Sequence, residues 1–144
     1  MTPPSGVTVA NTKRRLLEAE TDNCSGTQYT DEWFSYSPRG ELTDVYESTP
    51  HSGGYYHTNA SYWPSGSLET LSGIPSVPTI YYGAGGGGLD GEGRYTQLTA
   101  SSGTSPVVSN VTYATPNSAN PLGALTGVTY GSSDSDNFSK VPHP

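Results

Sequence analysis

Cysteine is all but missing from this chain: Cys24 stands alone among 144 residues, so no disulfide can close within it. A reactive thiolate needs cations nearby. With six Lys and Arg against thirteen Asp and Glu, cations are scarce, and Cys24 reads as an inert small residue. The same shortage argues against nucleic acid as a partner, because a net charge of −7 repels phosphate and no basic stripe offsets it. Long apolar runs are absent too. No stretch approaches the ~20 residues of a membrane-spanning helix, so membrane insertion is not expected. Met1-Thr2-Pro3-Pro4-Ser5-Gly6 lacks the apolar centre of an export signal. Hydrophobic residues make up only 31 % of the chain, a poverty that often leaves a chain unfolded. Against that stand 11 tyrosines, most of them in short β-prone runs.

Glycine and proline are plentiful, 18 and 12 residues or roughly a fifth of the chain, against an average near 12 %. They fall in register. Gly40-Glu41-Leu42-Thr43-Asp44-Val45 returns as Gly66-Ser67-Leu68-Glu69-Thr70-Leu71, Gly93-Arg94-Tyr95-Thr96-Gln97-Leu98 and Gly123-Ala124-Leu125-Thr126-Gly127-Val128. The copies lie 26, 27 and 30 residues apart, and a fainter one without the glycine begins at Arg14. A period of this length marks an array of one supersecondary unit. Pro38, Pro64 and Pro121 stand two residues before Gly40, Gly66 and Gly123. That layout, proline second and glycine fourth, suits a type I turn. Asp90-Gly91-Glu92-Gly93 reaches the same end with Asp and Gly chemistry.

Aromatic β-prone runs such as 32–36, 55–63, 78–82 and 107–113 feed the turns, and strands leave them. Lys13 to Glu20 resembles a helix locally, but its register with the repeat favours a strand. The pattern predicts an all-β fold: tandem antiparallel β-hairpin repeats forming an open, twisted, meandering sheet. Residues 1–12 read as a polar amino-terminal arm, disordered or loosely docked. Residues 13–139 read as one β-repeat domain of about four to five units, and 140–144 as an off-pattern tail. Leu42 and Val45, three apart, would point to opposite faces of a regular strand, which suggests that Leu42 caps the turn.

Tyr36-Ser37-Pro38-Arg39-Gly40-Glu41-Leu42-Thr43-Asp44-Val45-Tyr46 resembles an RHS or YD repeat, whose units run Tyr-Asp, two residues, Gly-Arg-Leu, then a strand ending in aromatics. Ser37 stands where that family has Asp and Glu41 where it has Arg; Gly93-Arg94-Tyr95 keeps the Arg. Tyr62 through Leu71 matches again, with Trp63 at the Asp position. The resemblance implies a β-shell of large bacterial proteins, secreted or at the cell surface, enclosing or displaying a toxic or otherwise variable domain. Its repeats are wall rather than catalyst and have been linked with carbohydrate. The partners implied are neighbouring repeats of a longer parent chain, or self-association through open sheet edges. The next motif glycine would fall beyond Pro144, so the chain is expected to be an excerpt of a larger array.

Chemistry is thinly represented. His51, His57 and His143, with many Ser and Asp, permit a small Ser/His/Asp hydrolase on paper, but no nucleophile elbow fixes the set; a non-enzyme is expected. No His or Cys pair has zinc spacing. Gly85-Gly86-Gly87-Gly88-Leu89-Asp90 matches the first six positions of a calcium-binding nonapeptide, but in a single copy and with Glu92 at an apolar position. It also lacks the Lys of a phosphate loop. No cofactor is expected. Sequons at Asn23, Asn59, Asn110 and Asn137 follow from composition. Tyr55, Tyr56, Trp63, Tyr81 and Tyr82 could stack on sugar rings, which makes a carbohydrate or cell-surface binding module the alternative function. The competing reading is cross-strand packing in place of scarce aliphatics.

Overall fold

The computed structural model describes residues 2–83, 88–101, 107–115 and 123–138. The chain divides into two compact units, Met1–Thr79 and Ile80–Pro144. Among the described residues every regular element is a β-strand. The first unit carries β1 (Glu18–Asp22), β2 (Gln28–Tyr36), β3 (Leu42–Ser48), β4 (Tyr56–Tyr62) and β5 (Leu68–Ser72). Each pairs antiparallel with the next, in the order of the chain, and β1 does not return to β5. The second carries β6 (Ile80–Tyr82), β7 (Leu98–Ala100), β8 (Val108–Tyr113), β9 (Leu125–Tyr130) and β10 (Asp134–Asn137). It follows the same open meander. The all-β, antiparallel, open reading of the sequence holds in both.

The repeated motif builds one hairpin connection several times. Ser37 N–H donates to Glu41 O at 2.8 Å while Gly40 N–H donates back to Ser37 O at 3.0 Å. Trp63 with Ser67 and Gly66, and Asp90 with Arg94 and Gly93, make the same two bonds at 2.8–2.9 Å. The glycine lies in the left-handed region, with φ of 98° at Gly40 and 89° at Gly66, so a type I turn closes into a glycine bulge. In the faint first copy Arg14 itself adopts φ 63°.

A second irregularity explains the motif's fourth position. Opposite Tyr36 the register passes from Leu42 directly to Asp44, opposite Tyr62 from Leu68 to Thr70, and opposite Tyr113 from Leu125 to Gly127. Thr43, Glu69 and Thr126 are therefore extra residues, bulged out of the ladder. The bulge turns one residue over, which puts Leu42 and Val45 on the same side after all. With Ala60, Tyr62, Leu68 and Leu71 they line a shallow 230 Å³ cleft. Leu42 is thus a cleft wall rather than a turn cap.

The core of the first unit lies on the other face. Trp33 is 2 % exposed and packs with Tyr46 and Val7; Val9, Leu17 and Tyr55 close around them. The amino-terminal segment is accordingly not loose. Ser35 Oγ accepts Ala10 N–H at 3.0 Å, Tyr36 N–H donates to Ala10 O at 3.0 Å, and Asn11 Nδ2 donates to Tyr36 O at 2.7 Å. A polar segment docks here because Val7 and Val9, either side of Thr8, supply apolar area the sheet lacks, about 1.5–3 kcal/mol for each side chain fully buried.

Candidate functional site

The motif's side chains meet at the turns, the tyrosines reaching into the copy before and the arginines Arg39 and Arg94 into the copy after. The Tyr36 hydroxyl donates to Leu16 O at 2.9 Å, Tyr62 to Leu42 O at 2.7 Å and Tyr113 to Tyr95 O at 3.0 Å. All three carbonyls belong to the motif's large apolar position. Arginines reinforce these ties. Arg15 lies 5.4 Å from the centre of the Tyr36 ring and Arg94 4.1 Å from that of Tyr113, within cation–π range. Arg39 Nη1 donates to Pro64 O at 2.7 Å and Arg94 Nη1 to Gly123 O at 3.0 Å. A side chain at Gly123 would run into the Arg94 guanidinium, and one at Gly40 would sit 2.7 Å from that of Arg15. Burial and the neighbouring Glu41 carboxylate push the Tyr62 phenol up from its ordinary value, so it stays a donor.

Residue i of the turn is a cap. Ser37 Oγ accepts from Arg39 N–H and Glu41 N–H at 3.2 and 3.3 Å and donates to Glu41 Oε2 at 2.6 Å. Asp90 does the same with Glu92 N–H and Arg94 N–H, at 3.1 and 2.8 Å, and pairs with Arg94 Nε at 2.7 Å. Partial burial pushes the Asp90 carboxyl up, but the bonds from Arg94 and Glu92 outweigh it and the group ends below the usual carboxylate range. The third copy thus carries Asp90 and Arg94 at two positions where the first has Ser37 and Glu41. Pro38 and Pro64 occupy the second turn position as the spacing implied, while Pro121 lies outside the described residues.

The five candidate stacking aromatics fall to different tasks. In the first unit Tyr55 is drawn into the core, where its hydroxyl donates to Asp31 Oδ2. Trp63 is half-buried at a turn whose backbone bonds it supplies. Tyr56 alone of these three is open, 46 % exposed. In the second unit Tyr81 and Tyr82 are half-buried, and the Tyr82 ring sits 5.8 Å from that of Tyr95, tilted by 54°. Residues 84–87, and with them half of the nonapeptide match, lie outside the described residues, as do Ser139 and the tail 140–144.

Two polar clusters escaped the sequence reading. His57 Nε2 and Asp44 Oδ1 are 2.8 Å apart, and the imidazole stacks on Tyr46 with centroids 4.2 Å apart and planes 5° from parallel. Asn59 Nδ2 donates to Asp44 Oδ1 and Thr43 Oγ1 to Asp44 Oδ2. Burial raises the Asp44 carboxyl, and the Thr43, His57 and Asn59 bonds more than reverse it. Among the described residues no serine hydroxyl bonds the imidazole, and no group of three His, Cys, Asp or Glu is placed to hold a metal ion. The second cluster is buried: Asp31, 3 % exposed, takes Trp33 Nε1–H on Oδ2 at 2.9 Å together with the Tyr55 hydroxyl. Burial and the Asp31 carboxylate push the Tyr55 phenol up to about 12. Cross-strand pairing of β3 with β4 creates the first cluster, and the approach of Tyr55, just before β4, to Asp31 and Trp33 of β2 creates the second. With this geometry in hand, the chain matches no protein-family model, no curated protein and no solved structure.

Proposed function

We propose that this chain is a structural repeat module, part of an RHS-type β-shell that encloses or displays another domain, and that its partners are neighbouring repeats of a longer chain. One observation carries the reading: the tyrosine hydroxyls of successive copies reach back 20 residues, Tyr36 to Leu16 and Tyr62 to Leu42, to the same backbone position. Such a tie joins nearest neighbours only. Nearest-neighbour ties are what a quasi-one-dimensional array is made of, and they let units be added without redesigning the rest. The surface has the composition of wall. Polar side chains such as Ser37 and Asp90 are engaged in turns, and Thr21 with Thr30 and Ser61 with Thr70 in cross-strand pairs, and the secreted or cell-surface setting of RHS proteins suits an acidic exterior.

The experiment is to insert a second copy of residues 40–65 between Ser65 and Gly66, preserving the 26-residue period. The longer chain is expected to gain two strands by circular dichroism and to unfold at a higher denaturant concentration, because one more interface is added. A chain that loses β-structure, or whose midpoint falls, would overturn the repeat-module reading.

A further inference from the structure

Two buried carboxylate oxygens in the first unit, Glu18 Oε2 and Asp31 Oδ1, have no hydrogen-bond partner among the described residues. An orphaned buried acceptor is costly, and two on one face add their mutual repulsion. They belong to one face. Glu18 pairs with Trp33 and Glu20 with Asp31 across β1 and β2, so Glu18 sits on the diagonal from Asp31. Asp31 has spent Oδ2 on Trp33 and Tyr55. Among the described residues no donor reaches Glu18 Oε2 or Asp31 Oδ1.

We propose that Glu18 and Asp31 share one proton, Glu18 Oε2–H donating to Asp31 Oδ1, and that this proton latches the amino-terminal segment over Trp33. A single proton satisfies both orphans at once. Removing it leaves two anions beside the cluster of Val7, Trp33 and Tyr46, and their hydration requires that the segment lift away. The cation that acts on Glu18 is the amino terminus, whose charge does not offset burial and the neighbouring acids. The segment from Thr2 to Thr12 contains no ionisable side chain. β1 contributes Glu20, which is exposed and takes Gln28 Nε2–H at 3.0 Å. β2 directs Glu32 into the opposite row; β3 offers the Tyr46 phenol and, two residues before it, Asp44 with its partner His57 of β4, and the segment before β4 offers the Tyr55 phenol. Burial, Asp31 and Glu20 all push the Glu18 carboxyl up, opposed only by the charge of the amino terminus.

The sign follows from that direction. A group whose folded pKa is raised contributes stability that is complete below its unfolded value, 4.5 for Glu18, and lost as pH rises through the folded value. The test is made on the whole chain. The Glu18 side-chain carboxyl ¹³C resonance should titrate above pH 4.5. Exchange protection of the Tyr36 amide, which is bonded to Ala10 O, should fall by up to about ten-fold per pH unit until Glu18 has titrated. In Glu18→Gln the amide donates to Asp31 Oδ1 at every pH, and the fall should vanish. A Glu18 midpoint at or below 4.5, or Tyr36 protection that ignores the Glu18 titration, would overturn the latch, and both are read on the unsubstituted protein.

Discussion

The first unit, Met1–Thr79, and the second, Ile80–Pro144, use the same turn, the same bulge and the same tyrosine tie, yet among the described residues only the first gathers an aromatic core. Trp33, Tyr46 and Val7 are buried in the first, whereas in the second the buried apolar side chain among the described residues is Ala114. Strands of five to nine residues in the first contrast with three to six in the second. The repeat therefore specifies register rather than stability. Apolar mass came from outside the repeat, from a proline-bearing segment that packs Val7 and Val9 onto β2 and β3. Among its described residues the second unit leans on Arg94, which pairs with Asp90, covers Tyr113 and holds Gly123.

The substitution that separates the units most sharply is Trp33→Ala. Truncating a fully buried Trp costs about 3–5 kcal/mol, enough to unfold a small meander of this kind. Hydrogen exchange should show the amides of β2 and β3 losing protection while the Val111 amide, bonded to Thr96 O at 2.8 Å, keeps its own. Equal loss at Val111 would break the comparison by showing that the two units unfold as one.

Much of this was legible from the residues because turn chemistry is local. Proline at 38 and 64 and glycine at 40 and 66 dictate the hairpins on their own, and 26-residue spacing dictates the array. The bulge was not legible: Thr43 and Glu69 are extra only relative to a partner strand, so the spacing of Leu42 and Val45 was misread as a turn cap. Tyr36 and Tyr62 stood out four residues before their glycines, but their hydroxyls bond carbonyls of the preceding copy, 20 residues away. The docking of Val7 was hidden by its polar surroundings. Burial of Asp31 runs against the strong tendency of acids to stay exposed, and only the Trp33 and Tyr55 donors make it intelligible. Asp90 and Arg94 each stood out in the sequence, one as a turn residue and one as the retained Arg, but their pairing at 2.7 Å did not.

The tyrosine ties allow a gentler probe of the same contrast. Tyr113→Phe and Tyr36→Phe each delete one hydroxyl bond to a backbone carbonyl, a loss of about 0.5–1.5 kcal/mol. Phenylalanine keeps the ring under Arg94 or Arg15, so the arginine contact survives in both. The loss should be similar in energy and different in consequence. In the core-poor second unit it should visibly lower protection of the whole β8–β9 pair, whereas in the first it should be confined to the turn near Leu16. Identical, local effects in both would mean that the second unit has support beyond its ties.

The smallest expected effect is a gain. Glu32 of β2 and Glu47 of β3 stand directly opposite each other in the ladder, and like charges so placed are destabilising. The registers of the second unit pair no two carboxylates in this way. Glu47→Gln should therefore stabilise the first unit by about 0.2–0.5 kcal/mol in low salt, read as a rise in its urea midpoint. Raising the ionic strength to 1 M, where screening acts within ~3 Å, should erase the gain. Glu32→Gln should give the same gain, and the double variant no more than either one, because a single repulsion is removed. Additive gains would instead assign the effect to net charge rather than to the pair. A unit that carries this repulsion in mid-ladder has stability to spare, and its source is the packing of Trp33 rather than the hairpins that both units share.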